Sequence, residues 1–146
     1  MTKSPHAIPT VAVIAFEENN VLLVKHREAA AHITGIYGLP SGRVEKDESL
    51  LEVAMREFRE ETGLTGNEKD FTQFPNNLYE GNIKRKGDRS ELMQMSVFVC
   101  QQYAGELANS EETIPEWVGI HELEKYTLLP NVYTAIMDAL QYELKN

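Results

Sequence analysis

Apolar positions fall in short runs separated by polar turns. Residues 10–16, TVAVIAF, are β-branched and apolar, and VLLVK follows after the polar turn EENN. Two such runs split by an Asn-rich turn predict a β-hairpin. HREAAAHITG reads as a loop, and IYGLP as a short strand ending at Pro40. Residues 49–62 contain no Gly or Pro and are rich in Glu, Leu, Ala, Met and Arg, which predicts a helix stopped by Gly63. FTQFPNNLYEG and ELMQMSVFVCQQY read as strands. In the second, Met93, Met95, Val97 and Val99 alternate with more polar neighbours until Phe98 interrupts. IPEWVGI is a further strand. Residues 130–144 place Val132, Ala135, Ile136, Ala139 and Leu140 at helical spacing behind a proline entrance. Strands, helix, strands, helix is the order of a mixed sheet packed between helices, in one domain over residues 1–146, since no repeat, low-complexity tract or linker divides the chain.

On a wheel of about 100° per residue, Leu50, Leu51, Ala54 and Phe58 of the 49–62 helix form the core face, with Met55 at its margin. Glu57 and Glu61 fall at the edge of that face, Glu61 about 20° from Leu50, and Glu60 stands slightly further out. Glu52 and Arg59 take the solvent side. Like charges three and four residues apart weaken a helix, and desolvation at an apolar boundary makes the repulsion costlier. A solvated acidic face fits this placement poorly. A hard divalent cation, Mg2+ or Mn2+, turns the same crowding into binding.

Charge changes what such a site can serve. The formal net charge is -9, from 14 basic and 23 acidic side chains, which argues against a nucleic-acid polymer or an anionic membrane as partner. A small anionic substrate stays admissible when metal ions neutralise the meeting point. The single cysteine, Cys100, permits no internal disulfide and suits a reducing compartment. The N-terminal apolar run is too short for a membrane span and lacks a signal-peptide layout, so a soluble cytoplasmic protein is expected.

Residues 42–64, GRVEKDESLLEVAMREFREETGL, resemble the box of the Nudix hydrolase family (MutT-like), G-x5-E-x7-R-E-U-x-E-E-x-G-U, with U a bulky apolar residue. Gly42, Glu48, Arg56, Glu57, Glu60, Glu61, Gly63 and Leu64 fall in place, and Phe58 fills the first U, where an aliphatic residue is commoner. The box covers 23 of 146 residues, and the coarse strand order over the rest is compatible with the family's α/β/α sandwich.

The resemblance implies that Glu57, Glu60 and Glu61 ligate Mg2+ or Mn2+, or that one of them is the base. It implies that Arg56 orients a neighbouring carboxylate, Glu57 foremost, that Glu48 supports the site, and that Ser41 or Gly42 lends a backbone carbonyl. Ser41 stands where the family usually has a glycine. Family members often borrow another carboxylate from a loop ahead of a Trp-bearing strand. SEETIPEWV fits that placement, making Glu111 or Glu112 an extra metal ligand or the base, against the alternative of two solvated loop glutamates. The implied reaction is water attack on one phosphorus of a nucleoside diphosphate linked to a group X, metal-dependent and favoured by alkaline pH.

Outside the box, Lys25, His26 and Arg27 end the second strand. Arg27 and Lys25 are candidates for substrate phosphates, with a plain exposed strand end as the alternative, the favoured one for His26. Lys84, Arg85, Lys86 and Arg89 read as a solvated hairpin tip rather than a guide for an anionic substrate. Tyr37 and Phe74 are candidate base-stacking residues, with core packing the commoner role of a strand aromatic. Cys100 reads as a small core residue. The expected substrate is a nucleoside triphosphate or related nucleotide, because the chain is short and has no evident N-terminal sheet extension. ADP-ribose or a nucleotide sugar is the alternative, a nucleotide-sensing module without catalysis a further one, and prenyl diphosphate isomerisation has little support from a lone cysteine. A monomer or homodimer is expected.

Overall fold

A computed structural model describes residues 7–87 and 89–145. Residues 1–6, part of the N-terminal stretch used above in the signal-peptide reading, lie outside the described residues, as do Asp88 of the basic tip and Asn146. The strands are β1 (Ile8–Ile14), β2 (Phe16–Glu17), β3 (Asn20–His26), β4 (Tyr37–Gly38), β5 (Ser41–Arg43), β6 (Phe71–Arg85), β7 (Arg89–Cys100) and β8 (Thr113–Gly119). The helices are α1 (Leu50–Thr62) and α2 (Val132–Lys145).

One sheet has the order β5-β1-β7-β6 and is mixed: β1 runs parallel to β7 and antiparallel to β5, and β6 is antiparallel to β7. A second, antiparallel sheet is built on β3, which pairs with β8 along its whole length and with β2 and β4 at its ends. The predicted hairpin between the first two apolar runs is therefore corrected. β1 and β3 lie in different sheets, and the turn joins only β2 to β3. Residues 11–15 are fully buried, so both faces of β1 are covered and hydrophobicity alone does not say which strand lies beside it.

Alternation along β1 and β7 builds the layers. Ala12, Ile14, Val97 and Val99 face a core completed by Val132, Ala135, Ile136 and Ala139 of α2. Val11, Val13, Phe98 and Cys100 face the other core, completed by Val53, Ala54 and Phe58 of α1. Phe98 thus interrupts the alternation because its face is also covered. This is the expected α/β/α arrangement, with each fully buried Val, Leu, Ile or Phe contributing about 1.5–3 kcal/mol. Phe74 and Cys100 are core residues, as their strand positions suggested.

α1 carries the helix-start chemistry its sequence encodes. Ser49 accepts a hydrogen bond from the Glu52 N–H, the Glu52 carboxylate accepts one from the Ser49 N–H, and Gly63 closes the helix at φ 86. Its buried residues are Val53, Ala54, Phe58 and Thr62, whereas Leu50 and Leu51 are only partly buried. Val53, outside the core face drawn on the wheel, is fully buried as well.

Candidate active site

α1 packs against β5, and that contact sets the site. A Cβ on Gly42 would lie 2.3 Å from Glu57 Cδ, so the glycine makes room for that carboxylate. The Ser41 N–H donates to Glu61 Oε1 at 2.7 Å. Ser41 therefore serves through its backbone, which explains why a side chain is tolerated there. Arg56 donates Nε and Nη2 to the two oxygens of Glu48 at 2.8 and 2.9 Å. Its Nη1 reaches Glu57 Oε1 at 2.5 Å and Glu60 Oε1 at 3.3 Å. One guanidinium thus ties three carboxylates, Glu57 among them.

The segment ahead of β8 brings the loop acids to the same place. Arg27 donates its backbone N–H to the Glu112 carbonyl and Nη1 to the Ser110 carbonyl, both at 2.8 Å. The Ser110 hydroxyl accepts from the Glu112 and Thr113 N–H groups, and buried Thr113 Oγ1 donates to the Glu61 carbonyl at 3.1 Å. Glu57, Glu60, Glu61, Glu111 and Glu112 consequently line one hollow with Ser110. Lys25 and Arg27 wall a neighbouring hollow that also includes Glu111.

Burial is the main reason Glu61 is pushed well above the usual carboxylate range; the Ser41 N–H opposes it, and Glu57, Glu112 and Glu60 add to it. Glu57 is raised by burial, against the pull of Arg56 and with the push of Glu60 and Glu112. Glu48 is lowered by its hydrogen bonds from Arg56.

Several residues stand elsewhere than their sequence suggested. Tyr37 packs edge-on against Tyr126 at 4.8 Å and donates to Glu116, and it is absent from the described walls of the carboxylate hollow. His26 is buried rather than an exposed strand end, and its ring meets that of His32 at 4.3 Å. Arg85 is buried, not part of a solvated tip, whereas Lys84, Lys86 and Arg89 are exposed. Period-two alternation already pairs Arg85 with Ile83 on one face of β6. Arg43 occupies an unspecified position of the box. Both arginines and His32 line two adjoining spaces, an apolar cavity with Ile83, Met93, Met95 and Leu129, and a groove with Glu57, Glu61 and Glu112.

The donor set of the hollow is carboxylate oxygen, which suits a hard divalent cation. Among the described residues no three acidic, His or Cys side chains already converge as a ready-made cage. A cation that keeps several waters and takes only one or two carboxylates together with substrate phosphates, as Mg2+ does, needs no such cage. A buried, repelled Glu61 is the group such a cation would relieve.

Comparisons with known proteins bear on the family and the fold. Over 84 residues the chain is 34% identical to the zebrafish (Danio rerio) oxidized purine nucleoside triphosphate hydrolase, a match covering 56% of this chain and 48% of that protein. It is 32% identical over 59 residues to Nudix hydrolase 8 of Arabidopsis thaliana, covering 40% and 16%. The chain thus spans about half or less of the length of these curated relatives. Among solved structures, a MutT protein from Methanosarcina mazei Go1 shares the fold at TM-score 0.68 and 24% identity, covering 99% and 100% of the two chains. A MutT/nudix family protein from Enterococcus faecalis does so at 0.73 and 16%, covering 100% and 65%. The profile of the NUDIX domain matches residues 6–139. With that match over most of its length, and with an α/β/α frame that gathers the acids of one helix against a glycine-bearing strand, this chain belongs to the NUDIX domain family.

Proposed function

We propose that the protein hydrolyses a diphosphate linkage in a nucleoside triphosphate or related nucleotide, with Mg2+ or Mn2+ bound through Glu57, Glu61 and the neighbouring Glu60 and Glu112. The observation that carries this reading is the shared wall between an apolar cavity and the carboxylate groove. A nucleoside in the cavity directs its phosphates toward Glu57 and Glu61. The relative named as an oxidized purine nucleoside triphosphate hydrolase supports a triphosphate over other nucleotides.

When bound, the divalent ion neutralises phosphate oxygens and makes water easier to deprotonate. The chain's own groups do the rest. Arg56 holds Glu57 in a fixed orientation, and the Ser41 N–H does so for Glu61. Water oxygen bonds to one phosphorus, the bridging oxygen leaves with the bond's electron pair, and a carboxylate accepts the water proton. Either Glu57, raised by burial, or a loop glutamate, Glu111 or Glu112, is the carboxylate of the hollow that takes this proton.

The test is phosphate or pyrophosphate release from a panel of nucleoside triphosphates, oxidised purine triphosphates, ADP-ribose and nucleotide sugars, in Mg2+, Mn2+ or EDTA. Metal-dependent release from triphosphates is expected. Preferential cleavage of ADP-ribose would overturn the triphosphate assignment, and no turnover of any diphosphate would overturn the hydrolase reading.

A further inference from the structure

The wall between the apolar cavity and the carboxylate groove contains an unusual pair of cations. Arg85 Nε and Arg43 Nη2 donate to the same oxygen, Oε1 of Glu91, at 2.9 and 2.6 Å. Two guanidinium groups share one carboxylate, so this trio of side chains carries a net positive charge in a chain whose formal net charge is -9. The Arg85 side chain is only 6% exposed, whereas that of Arg43 is 49% exposed.

The partners of Arg85 add no further negative charge. Its Nη1 lies 2.9 Å from His32 Nε2 and 3.1 Å from Nδ1, and because a guanidinium only donates, the ring accepts and the imidazole is neutral. Burial, with His26, Arg85 and Arg43 close by, holds His32 down at about 3. Among the described residues nothing accepts from Arg85 Nη2 or from Arg43 Nη1. Among the described residues no buried side-chain nitrogen or oxygen lacks a hydrogen-bond partner, so the spare Arg85 donor is open to the space beside it rather than sealed in the interior. The planar fork of a guanidinium matches the oxygens of a phosphate better than a point charge would.

Position specifies which phosphate. Arg43, Arg85 and His32 border the apolar cavity on one side and the groove with Glu57, Glu61 and Glu112 on the other. We propose that Arg85 and Arg43, held on Glu91, form an anion subsite for the phosphate joined directly to the nucleoside, one step before the bridge presented to the carboxylates. This rests on the reading that the cavity takes the nucleoside. Arg85 is the buried anchor, Arg43 the exposed second contact, and His32 a positioning residue that ties the 27–36 loop to the end of β6.

Calorimetric titration of the full chain in Mg2+ tests this with nucleoside 5′-monophosphates, which have no bridge to cleave, the matching nucleosides, and inorganic phosphate. A monophosphate is expected to bind about tenfold or more tightly than its nucleoside, which is about 1.4 kcal/mol. Arg85→Gln should bring the two within about twofold, Arg43→Gln should remove part of the preference, and Arg85→Lys should restore part of it. If Arg85→Gln fails to fold by circular dichroism, Arg43→Gln and Arg85→Lys carry the comparison. A preference that survives these substitutions overturns the subsite, as does wild type with no preference. Inorganic phosphate binding as tightly as the monophosphate overturns its link to the nucleoside. Loss of nucleotide hydrolysis across the panel with the preference intact would remove the proposed reaction and leave the subsite standing, and the reverse pattern would remove the subsite alone.

Discussion

Glu61 concentrates the conflict between folding and chemistry. Its carboxyl is buried, accepts from the Ser41 N–H and is pushed up by burial and by three other glutamates. Glu61→Gln keeps an acceptor for that N–H and removes the charge. Turnover should fall by about two to four orders of magnitude, while the metal-free protein melts at a higher temperature than wild type. Steady-state kinetics and a thermal melt in EDTA check both, and unchanged turnover would take Glu61 out of the chemistry. Gly42 is the complementary case. An added Cβ collides with Glu57 Cδ and Oε1 at 2.3 and 2.4 Å, atoms at the end of a flexible side chain. Gly42→Ala should therefore displace Glu57 with little loss of stability and lower turnover by about a hundredfold, because small misplacements of a reacting group are expensive. Ser41→Gly should leave both nearly unchanged, since the Ser41 contact to Glu61 is made by its backbone N–H.

At the level of elements, α1 is secured at its start and along one side. The reciprocal Ser49–Glu52 hydrogen bonds satisfy two end donors, so Ser49→Ala should cost about 1 kcal/mol in urea unfolding. Phe58 is fully buried against Phe71 and Tyr103 at the centre of the core beneath the acids, and Phe58→Ala should cost about 3–5 kcal/mol. A much smaller loss would mean that α1 does not depend on this contact. The helix was legible because propensity, capping and periodicity agreed over thirteen residues. The hairpin was not. Pairing partners of a strand buried on both faces are chosen by the whole sheet, and β1 takes β7, more than eighty residues distant, as its parallel neighbour.

The whole molecule couples stability to proton and metal. Glu61 has a higher proton affinity folded than unfolded, so the native state holds its proton above the unfolded carboxylate range. By linkage, this contribution weakens the metal-free protein as pH rises from about 4.5, the unfolded value, through the folded one. His32 has the opposite sense. Held at about 3 when folded, it stabilises above its ordinary value of 6.5, and that stability is lost as pH falls from 6.5 toward 3. Comparing wild type with Glu61→Gln separates the two. The gap between their melting temperatures in EDTA should be small near pH 5 and widen toward pH 8. Added Mg2+ should close it by raising wild type, as a ligand of the native state does. A gap independent of pH would remove this coupling. No described helix is long and apolar enough to cross a membrane.

Taken alone, the sequence determined the elements whose signals are local: the α1 helix and its caps, the apolar strands, the second helix, and the acid spacing that resembles the Nudix box. Local signals suffice there because a helix closes its own hydrogen bonds and its side chains meet at fixed offsets along the chain. Only the tertiary structure decided that β1 and β3 part into two sheets, that His26 and Arg85 are buried, and that Arg43, Arg85 and Glu91 meet beside the acids. Those arrangements join residues from distant strands, and the burial of a charged side chain depends on what the remainder of the chain brings to cover it.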